Sequence, residues 1–441
     1  MLSSLRRPAT HNVVSPTGLA IISYGIFLFA WMFPAPLYTS YMHEPDFMYF
    51  EPTTLLLFTL CTIAFILGAK LSAGRSNRSR GIYSIRHVGS PLAILMLPLL
   101  LFSALCSIYL VLLGGSIHFM SLLSSQQADV IKMANPSAGE WDASLNCLIG
   151  AIWWAMIRKS HVRLTAVSKR ILQFAIICST VIAMLTCIAR ADRTTLMALL
   201  GGQAIAYIFQ RTWTDQISLS RVLRIGLIFA VVIIALFILM SFMRGASTTH
   251  RLATSIIGYT IASYNRLTAV TLNILHFQYG GTGAYLARYL SQMHNNRLLS
   301  FFPRALNLPS PLEVWMTEFV SVGASGLSSG YNWASTMGFV FSDLGWYSPF
   351  YFLGTGLFCG YFWRLFPSGN LLGIIMYPWA GFSVLFWFGW NCLFDYKCIG
   401  FLEVTLLLAA YELVCFRRST TITRYYSELQ PSPSGMSVAP A

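Results

Sequence analysis

Two arginines bracket a carboxylate in Arg190-Ala191-Asp192-Arg193, at the junction of two apolar runs. Arg244 closes the next apolar run, and Arg251, Arg266, Arg288, Arg297 and Arg304 follow it. A guanidinium is a planar, permanently charged fork that matches phosphate and diphosphate oxygens. Arg190, Arg193 and Arg244 stand where a membrane helix meets the headgroup layer, so they suit a lipid-borne diphosphate. Snorkelling toward ordinary lipid phosphate accounts for any one of them alone. Two arginines around Asp192 favour the ligand reading, because such a cluster adds nothing to packing.

The partner chemistry lies downstream. A carboxylate at Asp343 suits a general base toward a hydroxyl, and equally a helix N-cap or an ion-pair partner. Tyr331 and Asn332 suit the positioning of hydroxyls. His250, His276 and His294 titrate near neutral pH and are alternative bases, each also suited to a structural role. Trp315, Trp333 and Trp346 fit either stacking on sugar rings or an interfacial aromatic belt. Glu403 falls inside an apolar run, where a carboxylate points to function or to pairing with an arginine. Glu313 and Glu318 read as solvated.

These residues need a scaffold, and composition defines it. The chain has 441 residues, 56% hydrophobic and 10% charged, with mean hydropathy +0.62; a soluble domain carries about 25% charged residues. The apolar runs are too long for strands, so the expected fold class is all-α, a polytopic helical membrane protein. The net charge of +14 does not point to nucleic acid, because the basic residues lie in the connectors between apolar runs, as orientation signals do. Most cysteines fall within apolar runs and act as small hydrophobes; a bridge between Cys392 and Cys398 stays open. No cluster suggests a metal, and no cofactor is expected. The first run lacks a cleavage pattern and reads as a retained helix.

About ten spans are expected, at 18–33, 53–68, 91–113, 143–157, 171–189, 195–209, 225–243, 349–366, 371–390 and 398–416. The connectors at 70–87, 158–170 and 211–224, together with Arg6, Arg7, Arg417 and Arg418, are the basic ones. They place both termini inside. The chain divides into a membrane bundle at 1–243, a large outer loop at 244–348, three closing spans at 349–416 and a disordered tail at 417–441. Within the loop, 252–277 is apolar but carries Arg266 at its centre. A mid-bilayer charge costs several kcal/mol, so this segment is expected at the outer interface with Arg266 facing protein or substrate. There is no P-loop, GxSxG or HExxH, and no soluble domain for a nucleotide-activated donor.

Ala189 through Leu196 resembles the start of the central helix in the O-antigen polymerase family, the Wzy-type repeat-unit polymerases. Ten residues separate Arg190 from Gly201, a spacing found in outer loops of that family. Tyr331-Asn332, Thr336 and Asp343-Leu344-Gly345 are similar to its YN…T…DFG pattern, with Leu344 in place of Phe. The resemblance implies a GT-C-like glycosyltransferase of the bacterial inner membrane with a periplasmic site. It would move a growing glycan from undecaprenyl diphosphate to the end sugar of another lipid-linked repeat. Arg190, Arg193 and Arg244 would hold the diphosphate with help from Arg266 and Asp192. Asp343 or a loop histidine such as His250 would take the acceptor proton, and Asn332 with Tyr331 would place its hydroxyls. The implied partners are undecaprenyl-diphosphate-linked oligosaccharides, the bilayer, and a chain-length regulator and flippase of the same pathway. O-antigen ligases share the layout, and a flippase of lipid-linked sugars is the alternative from another class.

Overall fold

The computed structural model describes residues 13–74, 99–109, 138–161, 166–189, 192–214, 218–243, 249–286, 288 and 301–429. Those residues are helical and contain no strand. Caps and prolines set the first boundaries. Ser15 Oγ accepts from Gly18 N at 3.1 Å and Pro16 opens α1, Pro16–Trp31. Pro34 then turns the chain by 86° into α2, Ala35–Met42. The Glu51 carboxylate caps Thr54 N at 2.7 Å and Pro52 opens α3, Pro52–Ala73. Proline at the first helical position costs no hydrogen bond, because that N–H has no helical partner.

The bundle continues with α4 (Leu99–Tyr109), α5 (Ala138–His161), α6 (Ala166–Ala189), α7 (Arg193–Thr214) and α8 (Leu219–Met243). After a cap it closes with α14 (Ser348–Leu365), α15 (Leu371–Leu385) and α16 (Tyr396–Leu429). By length and composition α3, α6 and α8 are able to cross a membrane, and the bent pair α1–α2 makes a fourth if it is one span. The centre is α15, buried from Gly373 to Val384 and surrounded by α1, α5, α7, α14 and α16. The sequence pattern extends this segment to Trp390, but the helix stops at Leu385. Its 15 residues reach ~22 Å at ~1.5 Å per residue, short of a ~30 Å hydrocarbon core. The following 386–395 is non-helical and mostly buried. Cys392 and Cys398 are separate buried thiols, so no bridge closes this segment.

The helices α3 and α14 meet backbone to backbone. A Cβ on Gly356 would lie 2.1 Å from the Phe65 carbonyl oxygen, and one on Gly360 would lie 2.3 Å from that of Ala69. Gly356-x-x-x-Gly360 is the small-residue spacing that lets membrane helices approach closely. At the opposite end from the cap, Arg158 donates Nε to Glu412 Oε1 at 2.8 Å and Nη2 to Oε2 at 3.0 Å, fastening α5 to α16.

The cap consists of α9 (Thr249–Tyr259), α10 (Ile261–Thr271), α11 (Phe301–Ala305), α12 (Pro311–Ala324) and α13 (Ser335–Leu344). The apolar segment centred on Arg266 is not one straight helix: it breaks at Thr260 between α9 and α10. Every residue of α10 is buried, packed against α1, α3, α9 and α13. Arg266 therefore faces protein.

Candidate functional site

Burying a guanidinium is costly unless its donors are satisfied. Arg266, at 0% exposure, meets that condition completely. Nε donates to the Tyr331 carbonyl at 2.8 Å. Nη1 donates to Glu44 Oε1 at 3.1 Å and to the Ala262 carbonyl at 2.9 Å. Nη2 donates to Glu44 Oε2 at 3.1 Å and to the Ser328 carbonyl at 2.9 Å. Glu44 also accepts from Ser328 N at 2.5 Å and from the Tyr38 hydroxyl. Neighbouring Asn265 accepts from Phe47 N at 2.7 Å and donates to the Pro45 carbonyl at 2.9 Å. Arg266 is the residue expected to bind substrate, and here its five N–H donors are all taken: four bonds hold the 43–51 loop and the 328–331 loop to α10, and the fifth stays within α10 at Ala262.

Asp343 is a second fastening. Its Oδ1 accepts from Gly281 N at 3.0 Å and Gly283 N at 3.2 Å; its Oδ2 accepts from Tyr285 N at 2.9 Å and Leu286 N at 3.1 Å. A carboxylate offers roughly four acceptor directions, and these bonds fill them. Burial raises the Asp343 carboxyl above its ordinary range, and the four N–H groups pull it back down. The expected general base is thus committed to holding the Gly-rich turn at 280–286 against α13, with no lone pair turned to a substrate.

Asp192 caps α7, accepting from Thr195 N at 3.0 Å and from Thr195 Oγ1 at 2.5 Å. Lys397 Nζ lies 3.4 Å from Asp192 Oδ2 and donates to Thr195 Oγ1 at 2.5 Å, so the start of α16 is tied to the start of α7. Arg193, the next residue, is buried with its Cζ 4.6 Å from the Phe237 ring centroid and 5.1 Å from that of Tyr259. Its Nη2 donates to the Met240 carbonyl at 3.2 Å. It borders a narrow crevice with a cavity volume of about 10 Å³, whose other walls are Leu196, Met197 and Leu200 of α7 and Ile233, Leu236, Phe237 and Met240 of α8. Both sets recur at one face of a helix, so the slot runs ~10 Å along the two axes. Arg190 and Arg244 flank Arg193 in sequence and lie outside the described residues, as do His294 and Arg297.

A second buried pair joins Arg288 to Glu318 Oε1, and Glu318 Oε2 accepts from Asn332 Nδ2 at 2.6 Å. Glu318 is 1% exposed, so its reading as a solvated carboxylate is corrected. The Arg288 Cζ stands 5.2 Å from the Phe339 ring centroid, 5.8 Å from Tyr285 and 6.0 Å from Trp390. Tyr331 sends its carbonyl to Arg266 and its ring against Tyr259 at 5.1 Å; burial pushes its phenol up to about 12. Tyr259 and Trp333 meet at 4.7 Å, and Trp333 and Trp390 at 5.4 Å. A continuous path of rings thus runs from Arg193 to Arg288.

The structure brings Arg193, Asp192, Tyr331 and Asn332 to this one end of the bundle. His250 stays apart: it is exposed at the start of α9, with Tyr41 at 5.3 Å and His43 at 6.4 Å. Glu44, Arg288 as the centre of a cluster, and Lys397 were not singled out by sequence reasoning. The signal for Glu44 was Arg266 itself, since a buried cation requires a carboxylate partner. Compared with known proteins, the chain matches no family model, no curated protein and no solved structure.

Proposed function

We propose that this protein is a GT-C-like glycosyltransferase with about ten spans that polymerises lipid-linked oligosaccharide repeats. It acts at the periplasmic face of the bacterial inner membrane, with both termini cytoplasmic. The observation that carries the reading is the crevice headed by Arg193: one cation at the end of an otherwise apolar interhelical slot. That pairing suits an amphiphile with an anionic head and an aliphatic tail. Its cavity volume is only about 10 Å³, the ~10–15 Å³ that one water needs, so it would meet a single group of a long molecule whose remainder lies outside the slot. Exposed Leu227, Ile228, Val231 and Ile234 on α8 suit contact with lipid beside it. The resemblance in 189–196 and 331–345 supplies the chemistry. The acceptor hydroxyl oxygen bonds to the donor anomeric carbon as the carbon–oxygen bond to the diphosphate breaks. The electron pair leaves on the diphosphate, whose charge Arg193 stabilises together with Arg190 and Arg244. The hydroxyl proton passes to a basic oxygen in the site. The pathway's flippase and chain-length regulator are the expected partners.

Purified protein incubated with lipid-linked repeats is expected to yield a ladder of glycans, and Arg193→Ala to reduce it by more than the folded fraction falls. Deletion cells are expected to keep single surface repeats and lose long chains. Loss of all surface repeats would instead indicate a flippase or a ligase.

A further inference from the structure

Arg288 differs from Arg266 in what its donors do. Among the described residues Glu318, bonded to Nη2, is the one hydrogen-bond partner of Arg288, and the side chain, 14% exposed, keeps its other N–H groups open to solvent. Two donors beside it are unpartnered although buried: the Tyr285 hydroxyl and Trp390 Nε1. Tyr285 is 0% exposed, and the charges of Arg288 and Asp343 both bear on its phenol. Buried donors are nearly always paired in native proteins, so two such ring donors beside one arginine point to a group that brings acceptors. That group is not an anion, because Glu318 is bonded to Arg288 and the charges of Asp343 and Asp395 also bear on it. A neutral polyol brings several acceptor oxygens and no charge, and the partly buried Trp390 indole offers apolar surface to its C–H bonds.

We propose that Arg288, Glu318, Asn332, Tyr285 and Trp390 form a second subsite, one that takes an uncharged sugar ring of the lipid-linked glycan. As a glycan site it rests on the polymerase reading given above. The path of rings through Trp333 and Tyr259 places it on the same side of the cap as the Arg193 crevice, which takes the diphosphate. One lipid-linked repeat, or the donor and acceptor ends of two, can thereby be held at both points.

The test is equilibrium binding to the full-length protein in lipid nanodiscs. The two probes are the lipid-linked oligosaccharide extracted from producing cells and polyprenyl diphosphate without sugar. Tyr285→Phe and Trp390→Phe each remove one unpartnered donor. Each is expected to weaken the sugar-bearing probe about tenfold, the worth of one good hydrogen bond, and to leave the bare lipid unchanged. Arg193→Ala is expected to weaken both probes. Thermal midpoints of the two phenylalanine variants are expected at or above that of the unsubstituted protein, because an unsatisfied buried group is removed. Unchanged affinity for the sugar-bearing probe in both variants overturns the subsite. So does equal weakening of both probes, which would mark a phosphate site. So does a lowered midpoint at unchanged affinity, which would mark ordered water. If Arg193→Ala leaves both probes bound normally, the diphosphate reading fails, and the phenylalanine variants still decide the subsite.

Discussion

The cap holds two arginine–glutamate pairs that differ in the exposure of the arginine and in how its donors are used. Arg266 and Glu44 are 0% and 1% exposed at their side chains, Arg288 and Glu318 14% and 1%. Around Arg266 every donor has a partner: both Glu44 oxygens, the carbonyls of Ser328 and Tyr331 from a loop distant in sequence, and the carbonyl of Ala262 one turn back in α10. Around Arg288 one donor is paired, and two ring donors beside it are unpaired. A buried ion pair rarely adds net stability over an apolar replacement, yet removing one partner is severe. The first pair makes sense as a pin that fixes two loops. The second leaves hydrogen-bonding capacity unspent, which a pin has no reason to do.

Breaking the pin should have the largest effect. Glu44→Gln leaves Arg266 uncompensated at full burial and is expected to cost about 3–5 kcal/mol, read as a drop in thermal midpoint in detergent. The double variant Glu44→Gln with Arg266→Met should recover part of that loss. If Glu44→Gln melts like the unsubstituted protein, the contrast between the pairs collapses. Glu318→Gln is expected to cost less, about 1–3 kcal/mol, because Arg288 keeps contact with solvent and rings, while glycan product falls by more than the folded fraction does. Asp343→Asn exchanges an acceptor for a donor facing backbone N–H groups, and a loss of about 1–2 kcal/mol is expected. The pH dependence there has a definite sign. Because burial raises the Asp343 carboxyl in the folded protein, its contribution is fully present below the ordinary carboxyl value of about 3.9. It is lost as pH rises through the raised folded value. Asp343→Asn should flatten that part of a midpoint-against-pH curve. His250→Ala should change stability by less than about 0.5 kcal/mol and leave the ladder intact, since it touches neither pair; a lost ladder would move the acceptor base to the His43–His250 surface.

The helices were legible from the sequence because each apolar run is bounded by prolines, caps or basic connectors: Ser15-Pro16, Glu51-Pro52, Asn370 before α15. The early stop of α15 at Leu385 was not, because Phe386 through Trp390 continues an apolar pattern, and only packing reveals that this stretch leaves the helix. That Arg266 faces protein or substrate rather than lipid was legible from the cost of its charge; which of the two was not. The partners of Arg266 were not, because all but the Ala262 carbonyl come from loops far away in sequence, and most are carbonyls, which carry no sequence signal. Glu318 looked solvated because α12 carries exposed Glu313 one turn earlier. Asp343 looked catalytic because a lone carboxylate shows nothing in the sequence of the four N–H groups that a Gly-rich turn can aim at it.

The glycine seam between α3 and α14 bears on how the chain is made. α3 is synthesised and inserted early, while Gly356 and Gly360 emerge only near the end. Until then the α3 face around Phe65 and Ala69 must wait in lipid without its partner, and α1 and α10, its other neighbours, must hold it in place. The final helices are then not an appendage but the closing step of assembly, and chains cut short before Gly356 are expected to be handed to the membrane's quality-control proteases rather than accumulate.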